Sequence, residues 1–152
     1  MDRPALEGVV IAVCVGPGGI PKLAVDAAEV GLLGFVGDKQ RFQFHGGPNR
    51  AVCLFSIEDY RALQKDGVVV EPPGAFGENV LTSGLDFTQL RPDDELVIGG
   101  GVRLALHDVR EPCKTLKSVD ARFPNLMLGR SGFVCRVLRG GTVRTGMTIR
   151  RA

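Results

Sequence analysis

Cys113 sits between two cations and directly after a proline, in Arg110-Glu111-Pro112-Cys113-Lys114. Neighbouring positive charge favours the thiolate, and a thiolate is either a nucleophile or a ligand for a soft metal. If Pro112 opens a short helix, Cys113 falls in its first turn, where unpaired N–H groups and the helix dipole add to that preference. The competing reading is an inert, half-exposed cysteine in a turn. The other three cysteines, Cys14, Cys53 and Cys135, lie between apolar neighbours and read as core residues.

Two further groups carry polar chemistry. The stretch from Gly37-Asp38 through His45-Gly46-Gly47-Pro48-Asn49 to Arg50 joins a glycine pair, a histidine and an arginine at a strand start. Backbone N–H groups of such a loop can meet an anion, with His45 and Arg50 adding charge and hydrogen bonds. It lacks the spacing of a Walker loop, and a plain glycine turn is the alternative. Gly74-Ala75-Phe76-Gly77-Glu78-Asn79 offers a carboxylate and an amide beside a glycine that allows close backbone approach. The alternative there is a polar turn at a strand edge. A zinc site from His45, His107 and Cys113 lacks the usual short ligand spacing. A Cys–His hydrolytic dyad has no oxyanion-hole motif to support it.

The elements that must position these groups are short. The chain has 152 residues, 21 of them glycine and nine proline, with no tryptophan. Glycine and proline recur every few residues, which favours strands and tight turns over long helices. Apolar β-branched runs predict strands over residues 8–15 and 50–55, and residues 22–30 read as strand as well. Residues 76–81 predict a short strand carrying Glu78 and Asn79. Residues 95–98 and 102–109 predict a hairpin across Gly99-Gly100-Gly101, with Val102, Leu104 and Leu106 on its buried face and His107 on its polar one. Residues 133–138 and 143–150 predict a closing hairpin around Gly140-Gly141. Ser56 is placed to cap a helix over residues 57–64, with Asp59 three positions on and Ile57, Tyr60 and Leu63 on one face. Residues 118–129 predict a second, irregular helix. The resulting class is mainly β with short helices, antiparallel for the most part and barrel-like, in one domain over residues 1–152.

Bulk properties exclude several functions. Nineteen basic against 17 acidic residues give a net charge of +2, too mild for nucleic-acid or membrane binding by charge alone. No apolar run approaches the roughly 20 residues of a membrane helix. The N-terminus lacks the pattern of a signal peptide, so the expected compartment is the cytoplasm and the expected cysteines are free thiols.

The three polar groups follow a fixed order: Gly37-Asp38 with His45-Gly46-Gly47 and Arg50-Ala51-Val52, then Phe76-Gly77-Glu78-Asn79, then Arg110, Pro112 and Cys113. Gly129-Arg130-Ser131-Gly132 and Val137-Leu138-Arg139-Gly140-Gly141 complete the series. This order resembles the MOSC domain, found at the C-terminus of molybdenum-cofactor sulfurases and in small bacterial proteins. The resemblance covers residues 8–150. It implies a MOSC barrel, akin to the pyruvate kinase β-barrel, and a site for a molybdopterin-type molybdenum cofactor. Cys113 matches the family cysteine that ligates molybdenum or carries sulfur. His45, Gly46, Gly47, Arg50, Glu78 and Asn79 would line the cofactor cleft, and Arg110 would pair with its phosphate or keep Cys113 ionised. The implied activity is reduction of N-hydroxylated small molecules, with electrons from a separate donor protein. The alternatives are a sulfur carrier holding a Cys113 persulfide, served by a sulfur-donor protein, and a binding module without catalysis.

Overall fold

The structure, a computed structural model, describes residues 3–16, 21–38, 48–110, 117, 119–123, 125 and 129–152. Eleven short strands and one α-helix are found among them. The long apolar run near the N-terminus forms β1 (Glu7–Val15), followed by β2 (Leu23–Val25), β3 (Ala27–Gly31) and the two-residue β4 (Gly34–Phe35). A single 3-10 turn, Pro48–Arg50, leads into β5 (Val52–Ser56) and helix α1 (Ile57–Lys65). Then come β6 (Val80–Ser83), β7 (Glu95–Ile98), β8 (Val102–Val109), β9 (Phe133–Arg139), β10 (Gly141–Arg144) and β11 (Thr148–Arg151).

Seven strands close a barrel in the order β1, β6, β5, β9, β8, β7, β11 and back to β1. Closure depends on β1 pairing on both sides, with Val9 opposite Ser83 of β6 and Thr148 of β11. Every ladder is antiparallel except β5 with β6, which runs parallel because α1 and the following loop return the chain to the same end. A register shift in β1 between Val10 and Ala12 changes which side chains face inward. Val10 and Val13 therefore join the barrel core, while Ala12 and Cys14 join a second cluster outside it. β10, β3 and β4 form a separate small sheet whose Val30, Phe35 and Val143 complete the barrel core.

The outer cluster is aromatic. Tyr60 stacks on Phe76 with ring centroids 4.8 Å apart, and Phe55 and Phe123 meet the pair edge-on or tilted at 5.1 to 5.6 Å. This packing places α1 on the barrel, with Ile57, Tyr60 and Leu63 buried as the i, i+3, i+6 spacing predicts. The Ser56 hydroxyl caps it by accepting from the Asp59 amide at 3.1 Å.

Two expectations change. Residues 76–79 are not strand: only Val80–Ser83 pairs, and the preceding segment is a turn with Gly74 and Gly77 at φ near +80°. The C-terminal segments do not form one hairpin. β9 pairs with β8 and β5, β10 with β3, and β11 with β7 and β1, because Gly140-Gly141 lets the chain leave the barrel wall for the small sheet. Of the irregular helix expected over residues 118–129, residues 119, 121–123 and 129 are turns and Asn125 is 3-10 helix, while 118, 124 and 126–128 lie outside the described residues. The β7–β8 hairpin is as predicted, with Ile98 opposite Val102 and His107 exposed. No helix among the described residues is long and apolar enough to cross a membrane.

Candidate functional site

The turn from Gly74 to Asn79 is the hub of the predicted site. Glu78 is fully buried, and both its oxygens accept from the Tyr60 hydroxyl, at 2.7 and 2.9 Å. The Gly74 amide donates to the same carboxylate at 2.9 Å and the Phe76 amide at 3.3 Å. Burial pushes the Glu78 carboxyl up, with the Tyr60 and Gly74 bonds and the Arg110 charge opposing that shift. Burial and the facing carboxylate push the Tyr60 phenol up in turn. Gly74 is required where it stands. A Cβ there would lie 2.0 Å from the Lys22 carbonyl oxygen, and its φ of +83° is left-handed.

Asn79 ties the hub to three other elements. Its side-chain oxygen accepts from the Cys53 amide at 2.9 Å. Its amide nitrogen donates to the Cys14 carbonyl at 3.2 Å and to Asp38 Oδ2 at 2.9 Å. Asp38 Oδ2 also meets Lys22 Nζ at 2.9 Å, and Asp38 Oδ1 accepts from the Gly16 amide at 3.0 Å. The Lys22 and Asp38 side chains are each only 4% exposed, so this is a buried ion pair that Asn79 completes. Sequence reasoning missed the pair. Asp38 stood in the Gly37-Asp38 motif without a role, and Lys22 read as the polar first residue of a strand. The signal available was an acidic residue directly after a glycine at a loop start. Its partner, 16 residues away, is set by the fold.

Arg110 joins the hub from the other side. It is 9% exposed, follows β8 directly, and its backbone amide donates to the Gly132 carbonyl at 2.9 Å. Its Nη2 donates to the Phe76 carbonyl, whereas Nη1 is buried without a hydrogen-bond partner. Arg50, at the end of the 3-10 turn, also carries a buried Nε without a partner. Two buried cationic donors left unsatisfied are unusual, since such groups ordinarily find an acceptor. They are suited to an anion.

Glu78, Asn79 and Arg110 are thus brought together, while no hydrogen bond joins Arg50 to them among the described residues. The Glu78 and Asn79 side chains have no exposed surface and bond to protein groups. Both side chains brace the turn on which the sequence places them. Cys113, His45, Gly46 and Gly47 lie outside the described residues, but both of their segments start at this frame, one after Asp38 and the other after Arg110. The core reading of the remaining cysteines holds. Burial, then the Glu78 charge, pushes the Cys14 thiol up to about 12, and burial raises Cys135 as well. Among the described residues no cluster of His, Cys, Asp or Glu could hold a metal ion.

Comparison with known proteins agrees with this frame. The MOSC domain family matches residues 41–150. A protein from Gibberella moniliformis named Reductase is 31% identical over 124 residues, covering 76% of this chain and 22% of that protein. The YiiM protein of Escherichia coli is 35% identical over 107 residues, covering 66% of this chain and 46% of its own length. Its crystal structure superposes with a TM-score of 0.75 at 26% identity, covering 95% of this chain and 69% of that one. The YUAD protein of Bacillus subtilis superposes with a TM-score of 0.78 over 97% of both chains, at 23% identity, a likeness of fold. The matched region spans less than half the length of the curated relatives named here.

Proposed function

This chain belongs to the MOSC domain family, and on that premise we propose that it is a molybdenum-cofactor protein that reduces N-hydroxylated small molecules. The observation that carries the reading is the pair of buried, unsatisfied arginine donors, Arg50 Nε and Arg110 Nη1, in a domain of this family. Each is a charged donor suited to an anionic group such as the phosphate of a molybdopterin. The reductase name of the Gibberella relative supports a redox role.

In this reading Cys113 is the metal ligand, a soft donor matched to a soft-metal site. Arg110 and Lys114, its near neighbours in sequence, favour its thiolate. His45, Gly46 and Gly47 face the cofactor with Arg50. Glu78 and Asn79 hold the frame. The Lys22–Asp38–Asn79 network fixes the chain where the His45 segment begins, and the Arg110–Phe76 bond fixes it where the Cys113 segment begins. When bound, the cofactor would supply two-electron reduction of the substrate N–O bond, with two electrons from a separate donor protein and two protons from solvent giving an N–H group and water.

The test is production in a host that makes molybdenum cofactor, followed by metal analysis. The reading expects near-stoichiometric molybdenum that is lost in Cys113→Ser. Molybdenum-free protein bearing a cyanide-labile persulfide on Cys113 would replace it with sulfur transfer. Molybdenum-free protein with Cys113 unreactive to alkylating agents near neutral pH would overturn both.

A further inference from the structure

A cleft of about 510 Å³ opens on the barrel wall beside α1, apart from the Glu78 hub. That volume suits a small organic ligand. One side is apolar: Leu85, Phe87, Leu90, Val109 and Phe133 line it, with the Phe87 and Phe133 rings 5.8 Å apart. The other side carries Glu58, Asp59 and Asp86. Among the described residues of the lining the one cation is Arg130, and its guanidinium is engaged by Asp66 at 2.5 Å, outside the lining. Three carboxylates therefore face an apolar wall with one already paired cation.

The three carboxylates differ in availability. Asp86 accepts from the Thr88 amide, the Thr88 hydroxyl and the Gln89 side chain, capping its own turn. Glu58 is exposed and accepts weakly from the Gly84 amide at 3.4 Å. Asp59 is half-buried in the first turn of α1, where burial outweighs the Ser56 hydroxyl and the Arg130 charge, which lower its carboxyl. Burial raises its carboxyl, so a cation brought against it would relieve a real desolvation cost. Charge and apolarity together select the occupant. An anion would meet net negative charge, and a small inorganic cation would leave the apolar wall unused.

We propose that this cleft binds an organic cation, an ammonium or amidinium group on an aromatic or aliphatic body, with Asp59 as its counter-ion and the Phe87–Phe133 wall holding the body. The cleft adjoins Arg110, whose backbone bonds to Ser131 and Gly132 of the lining, but the proposal does not depend on the redox reading. The cleft's position is suggestive of use, because Val109 in its wall immediately precedes Arg110 and the cysteine segment.

The probe is benzamidinium, titrated into the full chain and followed by amide chemical shifts. Benzamide is the neutral isostere and benzoate the anionic control. Saturable binding of benzamidinium with Kd on the order of 1 mM is expected, as for a fragment of this size. Shifts should concentrate at Leu85–Thr88, Val109 and Gly132. Benzamide should bind about tenfold more weakly, benzoate not measurably, and Asp59→Asn should bring benzamidinium to the level of benzamide. Val109→Trp, at a half-exposed strand end, should fill the cleft and abolish binding, and it carries the test if Asp59→Asn fails to fold. Equal binding of benzamidinium and benzamide, or binding unchanged in either folded variant, would overturn the proposal. Because protein made without molybdenum cofactor is used, failure here leaves the redox reading standing, and the reverse holds too.

Discussion

Replacing Asn79 separates a structural brace from a ligand contact. In Asn79→Ala the backbone bonds of residue 79, its amide to the Cys53 carbonyl at 2.8 Å and its carbonyl from the Cys14 amide at 2.7 Å, are untouched. Three side-chain bonds disappear. The buried Cys53 amide loses an acceptor, and the Cys14 carbonyl and Asp38 Oδ2 each lose a donor. An orphaned buried N–H costs about 1–3 kcal/mol, and the other two losses about 1 kcal/mol each. A deficit of roughly 3–5 kcal/mol is therefore expected, a large part of the ~5–15 kcal/mol that holds a typical domain. At ~2–4 °C per kcal/mol this lowers Tm by about 6–20 °C. Asn79→Asp should be worse near neutral pH, because it sets a second carboxylate against Asp38, and its deficit should narrow in acid. Far-UV circular dichroism gives Tm. Tyr60, the only tyrosine in a chain without tryptophan, reports locally on the hub by fluorescence. Cofactor-free protein is the right sample. A loss below about 1 kcal/mol would refute the bracing role assigned to Asn79.

Other outcomes follow from the same frame. Glu78→Gln should alter the pH dependence of stability. Its folded pKa is raised above the ordinary 4.5, so the wild-type contribution is complete below that value and fades as pH rises through the folded pKa. Urea denaturation should thus show the wild type losing ground to the variant from acid toward neutral pH, and the opposite trend would reverse the assignment. Lys22→Met should cost about 3–5 kcal/mol by stranding the buried Asp38 carboxylate, with the double variant Lys22→Met/Asp38→Asn, which keeps an acceptor for the Gly16 amide, recovering part of it in the same assay. Gly132→Ala should destabilise the β9–β5 junction by more than about 1–2 kcal/mol, since its φ is +80° and a Cβ would lie 2.0 Å from the Leu54 carbonyl oxygen. Arg50→Ala should leave Tm nearly unchanged, because it deletes an unsatisfied donor, while molybdenum retained after dialysis falls about tenfold. A large Tm loss with retention intact would make Arg50 structural.

Local chemistry was legible wherever neighbours in sequence decide the outcome. The cap at Ser56, the buried face of α1, the β7–β8 hairpin and the alternation of Val102, Leu104 and Leu106 follow from spacing, because helix and strand periods act within a few residues. The ordered motifs from Gly37 to Gly141 also carried the family, which the match over residues 41–150 bears out. Partner choice was not legible. The sequence offers β9, β10 and β11 as a consecutive series, and only the closed barrel assigns each to different neighbours, since closing the ladder satisfies the edge groups of β1 and β11 at once. Burial of charge is likewise a tertiary decision. Lys22 and Asp38 are ordinary surface types until the fold removes water from both, and Asn79, 41 residues from Asp38, becomes a brace because it and the Gly16 amide supply donors to the buried carboxylate. Residue order thus determined the strands, the cap and the family. The tertiary structure determined which polar groups are locked in place and which, like Arg50 Nε and Arg110 Nη1, are buried without a hydrogen-bond partner.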